Sequence, residues 1–288
     1  DQPIGGIGGT GIVGTLADFG SLIVNGIRIE TDAQTLITDA FGTIGESDLA
    51  VGDSLTMEAS PGANGLVARR VHVTHPIIGP VEQIGSGRVR IAGVEVEVEP
   101  GAEVSVTVGR RVAVSGIWAG DRVIASRIAE RPEPAVSVLA GAVKSLPAGG
   151  DLAIGGVPLR FKPGVELPAV DGFVTVRGFV GPGGFEVVSF EEGRFTGAAG
   201  PIVRLSVDGY LDPTDQAPFH EISGLGHSFD SDAKLDPFAQ SRWLFDGPYE
   251  ETFRVATGTA LPENLTERRR LLKDLLEGRS DADPIPAR

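Results

Sequence analysis

An Asn-Gly turn between two alternating apolar runs constrains this chain more than any other feature, because the pattern around it returns at a near-constant interval. Ser21-Leu-Ile-Val24 leads into Asn25-Gly26 and out through Ile27-Arg-Ile-Glu30. Both central residues of such a turn take positive φ, which makes Asn-Gly in this setting a strong hairpin signal. A strand-like run, Gly11–Phe19, precedes the hairpin. Two more, Ser54–Glu58 and Leu66–Val73, follow Val51-Gly52-Asp53. Together they read as a five-stranded antiparallel module of about 60 residues, the size of a small barrel. Hairpin glycines recur at Gly93 and Gly156, 67 and then 63 residues on, with the same internal order. Gly224 follows after a further 68. A repeat at that spacing marks tandem domains.

The second copy alternates strictly through Val94-Glu-Val-Glu-Val98, so its valines belong inside and Glu95 and Glu97 in solvent. The third copy turns at Gly155-Gly156, and the fourth keeps the interval while its residues diverge. The expected organisation is a glycine-rich leader at 1–10, barrels at 11–75, 76–134 and 135–197, a divergent barrel at 198–262, and a helix and tail at 263–288. The fold class is all-β, tandem small five-stranded OB-like antiparallel barrels with one C-terminal α-helix.

That helix has Asn264 as N-cap and Glu267 at the capping-box position. Leu265, Leu272, Leu275 and Leu276 form its apolar stripe, and Arg268, Arg269, Arg270 and Lys273 make it basic. The expectation is a packed helix whose basic face meets an acidic barrel. Contact with an anionic membrane surface is the alternative. In the leader, Ile4, Ile7 and Ile12 alternate with glycines that permit close backbone approach. Residues 3–12 are therefore expected to lie extended along another barrel or another chain, with Ile4 and Ile7 as partner-binding candidates.

A formal net charge of −14 repels phosphate backbones, so nucleic acid is not an expected partner. The absence of cysteine removes disulfides, thiolate metal sites and cysteine nucleophiles together. No apolar run approaches the ~18 residues that a spanning helix needs, so no transmembrane segment is expected.

The order Gly-x-Val, L-x-I-x-G, V-G-D or V-G-R, V-x-V-x-G and A-x-R-I/V resembles domain-of-unknown-function family 5666, an uncharacterised bacterial family. The resemblance rests on Gly11–Val73 and Ile78–Ile128, loosens over Leu139–Phe190 and is faint after Val203. The leader Gly5–Gly11 is similar to the start of exported members. The resemblance implies small OB-like barrels and a periplasmic or extracellular location with a signal sequence removed. It implies no activity.

Chemistry-bearing residues are sparse. His220 and His227 flank the fourth hairpin, and with Asp230 or Asp232 they make a nitrogen–oxygen donor set for a divalent metal. Scattered surface or capping histidines are the plainer account, and no other cofactor is expected. Carboxylate pairs such as Glu191-Glu192 and Glu250-Glu251 arise by chance among 39 acidic residues, and no Gly-x-Ser-x-Gly elbow occurs. Tyr210, Trp243 and Tyr249 gather in the fourth copy beside its long loops, as a candidate partner-recognition set or as core packing. The reading is a non-catalytic cell-envelope scaffold that binds a protein partner or a second copy. The competing reading is an exported metal-handling protein or hydrolase with its site in the fourth repeat.

Overall fold

The computed structural model describes residues 8–147, 150–215, 217–231, 233, 235–236 and 241–278. The Asn25-Gly26 turn takes φ values of 56° and 69°, as its sequence requires. It joins Leu22–Val24 to Ile27–Glu30 inside a ring completed by Gly9–Asp18, Ser54–Gly62 and Gly65–Val73. The first strand pairs with the second and fourth, the third with the fifth, and the fourth with the fifth. The second unit repeats this circuit with Ile77–Ile84, Arg88–Ile91, Val94–Val104, Arg111–Ala119 and Arg122–Glu130. Both rings are closed.

In each ring the third and fifth strands run parallel, Ile29 opposite Leu66 and Glu95 opposite Arg122, where the sequence suggested antiparallel pairing throughout. Closure demands this. Five strands around a ring cannot alternate direction at every neighbour, so one contact must be parallel.

The third unit follows the same circuit with its first strand in two pieces, Ser137–Ala142 and Lys144–Ser145. Among the described residues the fourth does not close. His220–Ile222 pairs with Leu211–Pro213, and Ser228–Ser231 pairs with Thr252–Val255. No ladder joins its second strand to its third among the described residues.

The Val-Gly-Asp and Val-Gly-Arg motifs have a visible role. Gly52 N–H donates to Leu16 O and Leu16 N–H to Asp53 O; Gly109 N–H donates to Val81 O and Val81 N–H to Arg110 O. Each motif thus clips the entry of the fourth strand to the first, at glycines with φ of 93° and 84°. Register slips once in the hairpin of the fourth and fifth strands, at Glu58/Ala59, Ser115/Gly116 and Arg177/Gly178. A bulge adds the local twist that bends a strand around a narrow ring.

The units share structure as well as repeating it. Ile77 and Ile78 pair with Leu139 and Val138, and one apolar cluster runs through the second and third barrels. Gly9–Val13 runs parallel to Ile202–Val207 of the fourth unit, and Gly9 N–H donates to Pro201 O at 2.8 Å. A Cβ on Gly9 or Gly11 would strike Ala199 or Leu205. The expected extension along another barrel therefore exists from Gly9 onward.

The helix, Leu265–Gly278, is capped by Asn264 Oδ1, which accepts from Thr266 N at 2.9 Å. Its Leu265 and Leu272 are buried, Leu272 in one apolar cluster with Leu244 and Leu261.

Candidate functional site

The chemistry that alternation could not locate lies between the units. Val94 and Val96 are buried and Glu95 is exposed, as expected. Val98 and Glu97 are half-buried instead, and Glu99 is 3 % exposed. Alternation keeps Glu99 on the outer face of its barrel; the helix and the fourth unit cover that face at its end. Arg268 Nη2 donates to both Glu99 oxygens at 2.7 and 2.8 Å, and Arg242 Nη1 reaches Glu99 Oε2 at 2.9 Å. Arg242 also forks onto Asp208, 2.7 Å to each oxygen, and donates to Thr15 Oγ1. Two cations and two anions, all buried, therefore tie the first, second and fourth units to the helix.

Bidentate geometry and filled donors are what allow such a cluster to exist away from water. Burial raises the Glu99 carboxyl above its ordinary value, with the arginine charges opposing. Glu263 extends the network, accepting from Tyr210 Oη at 2.6 Å and from Arg242 N at 3.0 Å.

Other buried charges follow the same rule. Glu58 accepts from Thr196 N, Thr196 Oγ1 and Ala198 N, each at 2.7 Å, and pairs with Arg70. Asp53 of the Val-Gly-Asp motif accepts from Arg127 of the second unit, and Asp39 pairs with Arg131. Of the helix's basic residues, Arg269 donates to Ala17 O and Lys273 pairs with Asp18, which leaves Arg270 exposed. The basic face does meet the barrels.

Arg194 differs. It is buried, its Nε and Nη2 donate to Leu225 O and Gly224 O, and its Nη1 donates to Thr56 Oγ1 at 3.3 Å. The guanidinium lies 3.8 Å over the Phe173 ring. It borders a cavity of about 50 Å³ where all four units meet, lined among others by Thr56, Thr74, Trp118, Phe173 and Asp208. Trp118 roofs this region, donating Nε1 to Ala140 O. Gly155 and Gly224 both press on its indole, and a Cβ on either would collide with it.

A more open pocket of about 290 Å³ lies on the other side of Trp118, with Asp121, Lys144, Asp212 and Glu221 on its walls. Lys144 is held between Asp171 and Glu221. Burial raises the Asp212 carboxyl, against hydrogen bonds from Ser223 and Gly120, with the Glu221 charge adding to the rise. Ser223, also on the wall, is engaged by Gly120 N–H and by Asp212.

Of the residues nominated from sequence, the structure brings His227 and Tyr249 into contact and sets His220 against a different ring. His227 accepts or donates through Nδ1 to Tyr249 Oη at 3.0 Å and stacks on Phe195; His220 packs edge-on against Phe229. Burial, then the charge of Arg194, lowers the His227 pKa to about 4. Asp230 is exposed and accepts from Ser231 N. Asp232, Ile4 and Ile7 lie outside the described residues. Among the described residues, no three His, Asp or Glu side chains converge in a geometry that would hold a metal ion. Tyr210 is buried, while Trp243 and Tyr249 are half-buried against the fourth unit's apolar cluster. Arg194, Arg242, Glu99 and Asp208 escaped sequence reasoning because their partners lie up to 227 residues away.

A family model described as a domain of unknown function, DUF5666, matches residues 10–72 and again residues 78–129. The resemblance seen in the motifs thus holds for the first two rings. Neither the curated proteins nor the solved structures include a match.

Proposed function

We propose, from two rings of a family without assigned activity and two more units built on the same circuit, that the chain is a non-catalytic scaffold of the bacterial cell envelope. In this reading it binds a protein partner or a second copy in the periplasm or outside the cell. The observation that carries it is the buried Arg242–Asp208–Glu99–Arg268 cluster. The first, second and fourth units and the helix are tied together by buried charged groups. A scaffold needs that rigidity, since ordering entropy is then not charged against binding.

The direct test is cross-linking in the native envelope, followed by capture of the full chain. Recovery of one stoichiometric protein partner, or of cross-linked copies, supports the proposal. A chain that fractionates with cytosol, or is captured from the envelope alone and uncross-linked, sinks it.

A second reading, metal handling in the fourth unit, draws on the buried Nε2 atoms of His220 and His227, which lack hydrogen-bond partners among the described residues. Elemental analysis of native protein decides it, with stoichiometric zinc or copper as the supporting result.

A further inference from the structure

We propose that the cavity where the four units meet is an anion site, holding one monatomic anion of chloride's size beside Arg194. Charge balance leads there. Among the described residues, the buried carboxylates Asp39, Asp53, Glu58, Glu99 and Asp208 each have a cationic partner in contact, as do buried Arg242 and Arg268. Arg194 alone among the buried charges has none; its partners are two carbonyls, a hydroxyl and a ring. A desolvated cation without a counter-charge is costly enough that proteins pair it or bind an ion. Burial lowers its pKa only to about 9, so it stays charged at neutral pH.

The cavity supplies the room. Its volume of about 50 Å³, on the measure by which one water needs ~10–15 Å³, leaves room for an ion of chloride's size. Thr56 and Thr74 hydroxyls stand 2.9 Å apart on its wall, and only one of their two protons is used between them. The other is free to donate, alongside the guanidinium. Asp208 also lines the cavity, but Arg242 holds both its oxygens. The carbonyls of Gly224 and Leu225 are likewise occupied by Arg194 itself. With Glu58 on Arg70, and Glu99 and Asp208 on Arg242 and Arg268, the buried carboxylates there are answered by other cations, and the charge left over is that of Arg194, which a monoanion cancels.

The probes are sodium chloride and sodium bromide against sodium methanesulfonate, whose polyatomic anion is larger, at matched ionic strength. Ligand binding to the native state raises the melting temperature, here by roughly 2–4 °C for the halides above the control. Arg194→Met should abolish that difference. Should that variant not fold, crystals of the unaltered chain grown in bromide decide alone, through one anomalous peak in the cavity. Equal melting curves in chloride and methanesulfonate, or cavity density that shows no bromide signal and so is water, would overturn the proposal.

Discussion

Arg242 and Arg194 are both buried where units meet, yet they are neutralised by different means. Arg242 sits among Asp208, Glu99 and Arg268, so its charge is answered within the chain. Arg194 brackets the turn at Gly224-Leu225 with carbonyl acceptors and a ring, so most of its donors are filled but its charge is not answered within the chain. The difference teaches that satisfying hydrogen bonds and satisfying charge are separate tasks. The first fixes geometry; the second decides what else the junction needs.

The largest expected effect breaks the first junction. Glu99→Ala leaves Arg268 without a carboxylate and Arg242 with only Asp208, and should cost about 3–5 kcal/mol in chemical denaturation. A cost below about 1 kcal/mol would mean that the cluster does not couple the units. Next, Arg194→Met strands no charge and loses only hydrogen bonds and ring contact, so about 1–2 kcal/mol is expected from the same measurement. If it matches Glu99→Ala, the contrast between the junctions is wrong.

Replacing a pair rather than a partner sharpens the point. Glu99→Met with Arg268→Met leaves Arg242 on Asp208 and should return to within about 1 kcal/mol of the parent. A double variant as unstable as Glu99→Ala would show that the cost lies in packing, not in an orphaned charge.

The smallest effect is in the pH profile. The ordinary histidine value is 6.5 and burial with the Arg194 charge holds His227 near 4, so the unfolded chain takes up that proton first. The contribution is therefore full above pH 6.5 and falls as acid is added, by about 1 kcal/mol down to pH 5.5. In Arg194→Met the His227 pKa should move upward, because one of its two depressing influences is gone. Chemical denaturation at stepped pH reads the first and imidazole NMR titration the second, and an unmoved His227 would deny that Arg194 is charged.

The barrels were legible because their determinants are local. Asn25-Gly26, the Val-Gly motifs and period-two alternation each act within a few residues, and together they dictate the ring. The helix and its cap at Asn264 were legible for the same reason. Glu99 was not. Alternation says which face of a strand a residue occupies but not what lies over that face, and here an arginine 169 residues away lies over it. Arg194 follows the last strand of the third barrel in a Gly-Arg-Phe stretch without periodicity, so nothing nearby announces a buried cation. The parallel strand pair was foreseeable in principle, since an odd ring permits no other closure.

The ladder between Gly9–Val13 and Ile202–Val207 carries a consequence for copy number. Linear arrays tolerate gain or loss of a repeat because each unit touches only its neighbours. Here the first unit also touches the last, so the array is a cycle. Deleting the third barrel, or splicing another between second and third, would pull apart the Gly9–Val13 ladder and the contact of Glu99 with Arg242 at once. Gain or loss of a unit between the first and the fourth is therefore opposed by the same contacts that hold those two together.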